Sequence, residues 1–460
     1  MWPETNSLKE YSMTSQHQQW GSRLTFILAA TGSAVGLGNI WKFPYMVGES
    51  GGAAFVFVYL ICIALIGLPM LVAEWLLGRR GQKNPVDTMR ILARGNDRSP
   101  AWIVVGISAV LVGAVILSFY SVIGGWSLYY TLQAGAGRFA GVDVAGIELI
   151  FDTLLASPST LTVAHTVFMV TSVAIVARGL KKGIETAVRV LMPALAILIL
   201  ILLSFAMTTG HFGEALRYMF AVDLGQIDGN TVLAAMGQAF FTLSVGAGVM
   251  IAYGSYLGPK INLLATARIV ILLDTVFALV AGMLIFPIVF ANGLEASEGP
   301  GLIFITLPVA FAQMTGGTAI GLLFFLLLSF AALTSAISLL EPAVEFLDER
   351  TRLGRAWATI VVGSLIWSLG NAALLSFNVW SDPLPIVGLG VFDFLDVLTS
   401  QYMLPLNGLL VVIFVGWMLD RHGALKELGL SGRAARVWGI LMRVIAPLGV
   451  TAVFVAGLVG

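Results

Sequence analysis

The chain reads as an all-α membrane protein whose first and sixth spans are broken near their middles. Three observations predict this. Hydrophobic residues make up 58% of the 460 and charged residues only 11%, where a soluble domain carries roughly 25% charged residues; mean hydropathy is +0.93. Apolar runs long enough to cross a bilayer recur from end to end. Two of these runs, at residues 32–39 and 240–248, are interrupted by glycines and small polar residues.

Residues 1–22 read as a polar cytoplasmic segment, and no cleavable leader is expected, since the first apolar stretch has spanning length. The first span, 23–48, contains Gly32-Ser33-Ala34-Val35-Gly36-Leu37-Gly38-Asn39. Its glycines and asparagine weaken a helix at about bilayer mid-depth. Irregular backbone is tolerated there only where it is buried in protein or lines a cavity. A helix broken in this way offers free carbonyls at one half-end and free amides at the other, and so can hold a cation beside a carboxylate. Gly32 and Gly36 also form a G-x-x-x-G pair that permits close helix packing, but packing explains neither Asn39 nor the matching break in the sixth span.

Spans two to five are expected at 53–79, 101–134, 162–178 and 185–209, with the long 135–161 connection outside the membrane. The sixth, 231–256, carries Phe240-Phe241-Thr242-Leu243-Ser244-Val245-Gly246-Ala247-Gly248. Spans at 267–292, 318–349, 355–376, 390–420 and 434–459 follow, and Leu302–Met314, short and containing Pro308, reads as a re-entrant or interfacial helix. Residues 23–209 and 231–420 thus form two five-helix groups, each opening with a broken helix. That pattern predicts an inverted repeat with the site at its interface. The eleventh helix, 434–459, lies outside the repeat.

Charge fixes the orientation. With the N-terminus inside, the cytoplasmic segments collect basic clusters such as Arg79 to Arg98, Arg178 to Arg189 and Arg421 to Arg443, while the outer side keeps only Arg138 and Arg217. This places the N-terminus in the cytoplasm and, with an odd number of spans, the C-terminus outside. The net charge of zero says little about partners, and nothing points to nucleic acid; the lipid bilayer is the environment expected. Cys62 is the sole cysteine, so no intrachain disulfide forms. With no Asn-x-Ser/Thr acceptor, this fits a bacterial inner membrane. Metal-ligand spacings, a Walker loop and a nucleophile elbow are missing from the sequence, so no enzyme is expected.

Three stretches are specific enough to name a family. Trp20-Gly21-Ser22-Arg23-Leu24 with Gly32 through Pro44 and Glu49-Ser50-Gly51-Gly52-Ala53-Ala54-Phe55 resembles the opening of the neurotransmitter:sodium symporter family. Gln238 through Ser244 resembles its sixth span, and Leu333-Thr334-Ser335 its eighth. The resemblance is strongest to the bacterial branch that carries hydrophobic amino acids, and it implies a LeuT-like fold and sodium-coupled uptake by alternating access.

By this resemblance a first sodium ion takes the Ala34 carbonyl, the Asn39 amide oxygen, Thr242 and Asp274. A second, two being favoured over one, takes the carbonyls of Gly32, Val35 and Ala331 with the hydroxyls of Thr334 and Ser335. The substrate site is implied at Ser33, Ala34, Leu37, Gly38, Tyr120, Phe240, Thr242 and Ser244, with Ile116, Phe241, Ala247, Ala331, Ser335 and Leu339 around the substrate's side chain. Gly36 stands where amine-carrying members have an Asp, so the substrate brings its own carboxylate. Ala247 stands where a leucine-selective pattern has a Phe, which implies room for large apolar or aromatic side chains.

Asp274 departs from the family's usual Asn, and Ala278 replaces the Ser that chloride-dependent members carry one turn later. An Asp inside a span is costly and functional by default. It implies a built-in anion and no chloride requirement. For the gates, Lys42 and Asp396 match the outer ion pair, with Lys lacking the fork of Arg. His17 and Glu349 match the inner pair, Trp20 the inner plug, and Glu74 the residue that accepts hydrogen bonds from the broken sixth span. The expected cargo is a neutral, apolar amino acid; an osmolyte such as taurine, betaine or a gamma-amino acid is the alternative. The sequence leaves the oligomeric state open.

Overall fold

The computed structural model describes residues 18–294, 301–384 and 388–459, and these are helical throughout with short connections. His17 lies outside them. Nine of the described helices are long and apolar enough to cross a membrane: α3 (Ala53–Gly81), α5 (Pro100–Gly135), α7 (Pro158–Val176), α8 (Leu180–Ala206), α12 (Leu263–Ala291), α14 (Gly317–Arg350), α15 (Arg355–Leu375), α16 (Val391–Met418) and α18 (Gly432–Leu458). The first span is a pair, α1 (Arg23–Ala34) and α2 (Gly38–Glu49), bent by 51°. The sixth is a pair as well, α10 (Gly229–Thr242) and α11 (Val249–Ser255).

Each broken span starts with a side-chain cap and stops for a visible reason. The Ser22 hydroxyl accepts from the Thr25 amide at 3.1 Å and opens α1. The helix ends at Ala34, where Val35 turns to φ −77°, ψ 88°. The Asp228 carboxylate accepts from the Thr231 amide at 2.7 Å and opens α10, and that bond holds the Asp228 carboxyl below its ordinary range. Beyond Thr242 the chain enters left-handed conformations at Ser244 (φ 52°), Gly246 (φ 87°) and Gly248 (φ 73°). Only the serine is not glycine, and a side chain held there is strained.

α5 and α14 form the centre on which the broken pairs rest. Two-thirds of the apolar window of α14 is buried, against 17% for α18, so the last helix is peripheral. Glycine allows the close approaches: a Cβ at Gly106 would sit 2.4 Å from the Pro85 carbonyl oxygen. Three short helices, α4 (Pro85–Gly95), α9 (Phe212–Phe220) and α17 (Arg421–Glu427), lie in the connections after α3, α8 and α16.

The 135–161 connection is not featureless. It holds α6 (Val144–Ala156), opened by Asp143 accepting from the Gly146 amide at 3.0 Å. The expected loop helix is also present as α13 (Leu302–Gln313). It joins the 135–161 connection through the Ala312 carbonyl, which accepts from Gly141 at 3.2 Å. Aromatic packing completes the join. Trp126 of α5 meets Phe151 of α6 and Phe304 of α13 edge-on, each at 5.6 Å.

Candidate functional site

The two breaks lie side by side. Ser244 Oγ, on the second, donates to the Ser33 carbonyl on the first at 3.1 Å. The Gln238 amide on α10 donates to the Gly38 carbonyl at 3.0 Å. Two carbonyls of the broken first span are therefore answered by side chains of the broken sixth, as low-dielectric surroundings require.

At one end of this junction Asn39, Thr242 and Asp274 converge. Asn39 Nδ2 donates to the Asp274 side chain at 2.8 Å and to its carbonyl at 3.0 Å. Thr242 Oγ1 lies 3.0 and 3.2 Å from the two Asp274 carboxylate oxygens and 3.3 Å from Asn39 Oδ1. A hydroxyl has one proton, so it satisfies one of these three acceptors at a time. The cluster is therefore rich in acceptor oxygens, and Asp274, fully buried, contributes the carboxylate. A hard cation suits such a donor-poor set of oxygens. Ala34 is buried beside it.

A second group of oxygens joins α1 to α14. Ser335 Oγ donates toward the carbonyls of Ser33 at 3.1 Å and Gly32 at 3.5 Å. Thr334 Oγ1 bonds back to the Ala331 carbonyl at 2.9 Å. Gly32 permits the contact, since a Cβ there would come within 3.3 Å of Thr334 Cβ and 3.0 Å of Met192 Sδ. Val35 is buried at the same break. The hydroxyls of Thr31 and Ser33 are buried and have no hydrogen-bond partner among the described residues.

Between the two groups a cavity is lined by Ser33, Ala34, Gly36, Leu37, Gly38, Ile116, Tyr120, Phe241, Thr242, Ser244, Ala247, Ser335, Leu339 and Leu404. Its free space is about 40 Å³, so the walls are nearly closed. The Leu37 amide points to the Tyr120 hydroxyl at 3.4 Å, which puts a backbone donor and a phenol at one end. Two expected residues are not in this lining: Phe240 faces a neighbouring cavity, and Ala331 is buried on α14. Leu404 was not expected, because nothing local in the tenth span marks it.

The neighbouring cavity, about 430 Å³, is lined by Lys42, Gln238, Phe240, Phe241, Asp396 and residues of α16 and α18. Phe241 lines both cavities and so separates them. Among the described residues no ion pair joins Lys42 to Asp396; instead the Lys42 ammonium stands 4.1 Å above the Phe241 ring. The cation thus rests on a ring that lies between the two cavities.

Just before α1, at the end away from its break, Trp20 is buried and its indole donates to the Tyr253 carbonyl at 3.0 Å. It packs against Phe26, Tyr253 and Tyr256. The Glu349 carboxylate accepts from the Asn84 amide at 3.0 Å, the Asn84 side chain at 2.7 Å and Lys83 at 3.4 Å. Sequence reasoning missed these two partners. Glu74 accepts from the Gly246 amide at 2.6 Å.

Comparison with known proteins agrees with this geometry. The pattern for the "Sodium:neurotransmitter symporter family" matches residues 17–140 and 147–460. An uncharacterized sodium-dependent transporter, YhdH, of Bacillus subtilis is 37% identical over 443 residues, covering 95% of this chain and 96% of its own length. An uncharacterized sodium-dependent transporter of Haemophilus influenzae is 34% identical, covering 96% and 98%. Among solved structures, MhsT in complex with L-phenylalanine is similar at a TM-score of 0.88 and 43% identity, over 96% of this chain and 99% of that one.

Proposed function

Since the chain belongs to the sodium:neurotransmitter symporter family and is a sodium-dependent membrane transporter with a LeuT fold, not an enzyme, we propose that it carries a neutral, apolar or aromatic amino acid inward together with sodium and without chloride. The observation that carries this reading is the Asn39–Thr242–Asp274 cluster beside an apolar cavity that has a backbone amide and a phenol at one end. The amino acid's carboxylate faces the Leu37 amide and Tyr120 hydroxyl, and its ammonium faces carbonyls of the broken sixth span. Its side chain enters between Ile116, Phe241, Ala247 and Leu339. The bound L-phenylalanine of MhsT supports the substrate class for this chain.

In this account Asp274 supplies the negative charge, so that a sodium ion beside it needs no external anion. The Gly32, Ser335 and Thr334 group takes a second sodium. Ion and substrate share the same broken backbone, so each favours the occupied state and the coupling is reciprocal. One charge crossing about 100 mV releases roughly 2.3 kcal/mol, enough to drive accumulation. The first, second, sixth and seventh spans rock against the rest. We place the protein in a bacterial inner membrane with eleven spans, α10 and α11 counting as one, and with its N-terminus in the cytoplasm.

The test is uptake by the purified protein in liposomes. Labelled leucine, phenylalanine, tryptophan and taurine are offered with sodium, lithium or potassium outside, with and without chloride. Accumulation of the apolar amino acids with sodium alone is the expected result. Accumulation of taurine but of none of the amino acids, or a chloride requirement, would contradict the reading.

A further inference from the structure

The floor of the cavity is the non-helical stretch between Thr242 and Val249, which contains Ala247. One peptide position in it is held from two sides. The Gly246 amide donates to Glu74 of α3 at 2.6 Å, and the Gly246 carbonyl accepts from Asn407 Nδ2 of α16 at 2.7 Å. Both side chains are fully buried. Each spends one polar atom on Gly246, and Glu74 Oε2 and Asn407 Oδ1 are left without a partner among the described residues. A buried amide kept at that cost is doing something that a hydrophobic residue of the same shape does not.

The surroundings show what moves if the hold is lost. A Cβ on Gly246 would lie 2.9 Å from the Leu404 carbonyl oxygen, and one on Gly113 would lie 2.9 Å from the Ala247 carbonyl oxygen. A Cβ on Gly248 would come within 3.1 Å of Ala109. The bend is therefore packed against α16 on one side and α5 on the other, and its open side is the cavity. The same helix that holds the Gly246 carbonyl also sends Leu404 into the cavity wall and carries Asp396 near its outer end.

We propose that Asn407 is a positioning residue for substrate selection: by drawing the Gly246 carbonyl toward α16 it holds Ala247 back at the cavity wall and sets the largest side chain that the site accepts. The inference rests on the amino-acid reading above. Asn407 touches no substrate; it acts through the backbone of residues 246–247. Without the amide donor, the bend relaxes into the free space, and bulky side chains are excluded before small ones.

The experiment compares wild-type protein with Asn407→Leu, which keeps the shape and removes the donor, and Asn407→Gln, which keeps a donor. KM and kcat for tryptophan and alanine, and the sodium concentration giving half-maximal uptake, are measured in liposomes. The expected result for Asn407→Leu is a rise of about tenfold in the tryptophan-to-alanine KM ratio, the size of one lost buried hydrogen bond. Sodium dependence stays unchanged, and Asn407→Gln recovers at least part of the ratio. Should Asn407→Leu fail to reach the membrane, Asn407→Ser, which falls short of Gly246 without adding bulk, takes its place. An unchanged ratio, a shift in favour of tryptophan, or equal loss for every substrate overturns the proposal. If the wild-type protein carries no amino acid at all, the amino-acid reading fails instead, and the two failures are distinguishable.

Discussion

Asn39 Nδ2 donates at once to the main-chain and side-chain oxygens of Asp274, at 3.0 and 2.8 Å. The two bonds fix the amide so that its own oxygen faces Thr242 and the Gly36 amide. A side chain on the broken first span is thereby oriented by a carboxylate on α12, and the acceptor it presents is the one assigned to sodium in the proposed function.

Asp274→Asn tests the charge in that arrangement. It keeps the shape and the hydrogen bonds to Asn39 and Thr242, and removes the anion. The concentration of sodium giving half-maximal uptake is expected to rise by about tenfold or more, the scale of a lost charge-assisted contact. A sodium titration of uptake reads this directly. An unchanged midpoint would place the ion elsewhere.

Ser335 and Thr334 test the second group of oxygens. Ser335→Ala combined with Thr334→Val removes the hydroxyl that reaches the Gly32 carbonyl and the one that bonds to the Ala331 carbonyl. The expected outcome is a shallower dependence of uptake on sodium, with the Hill coefficient falling toward one. A coefficient that starts at one in the wild-type protein would show a single coupled ion.

Gly36→Ala tests whether the cavity is the substrate site. The added Cβ would lie 2.3 Å from Ser335 Oγ and 2.9 Å from the Tyr120 hydroxyl. Both groups are committed, Ser335 to the Ser33 carbonyl and Tyr120 to the Leu37 amide. Overpacking of this kind costs about 1–3 kcal/mol, so a loss of roughly tenfold or more in substrate affinity is expected from competition binding.

Lys42 on the Phe241 ring calls for a double-mutant cycle. The stacking contributes about 0.5–2 kcal/mol, so the effects of Lys42→Ala and Phe241→Leu on substrate release are expected to be non-additive by that amount. Lys42→Ala and Asp396→Asn should be non-additive as well, because the two charges line one cavity and act on each other through space although no ion pair joins them among the described residues. Additivity in the first cycle would contradict the contact between Lys42 and Phe241.

Much of this site was legible from local chemistry. Gly32, Gly36, Gly38 and Asn39 mark a break because no helix interior favours them, and the pair of glycines around Ala247 marks the other. Asp274 stands out because a carboxylate in an apolar span needs a reason. Leu404 and Asn407 carried no such mark: a leucine and one asparagine in the tenth span read as ordinary until the fold brings that span against Gly246. Lys42 was matched to Asp396 by position, but which of two neighbours a flexible ammonium chooses depends on the ring beneath it, which the sequence does not place. The helix Val144–Ala156 carries no such mark either: Gly137, Gly141, Asp143 and Pro158 on either side of it read simply as a connection.

The most direct test of the whole account is equilibrium binding of a labelled neutral amino acid, phenylalanine for example, to the purified protein as sodium is titrated in chloride-free buffer. Saturable binding that appears only with sodium, and that shifts to higher sodium in Asp274→Asn, is the expected result. Binding of equal strength in potassium, or binding that sodium leaves unaltered, would contradict the claim that the two broken helices gather one ion and one amino acid into a shared site.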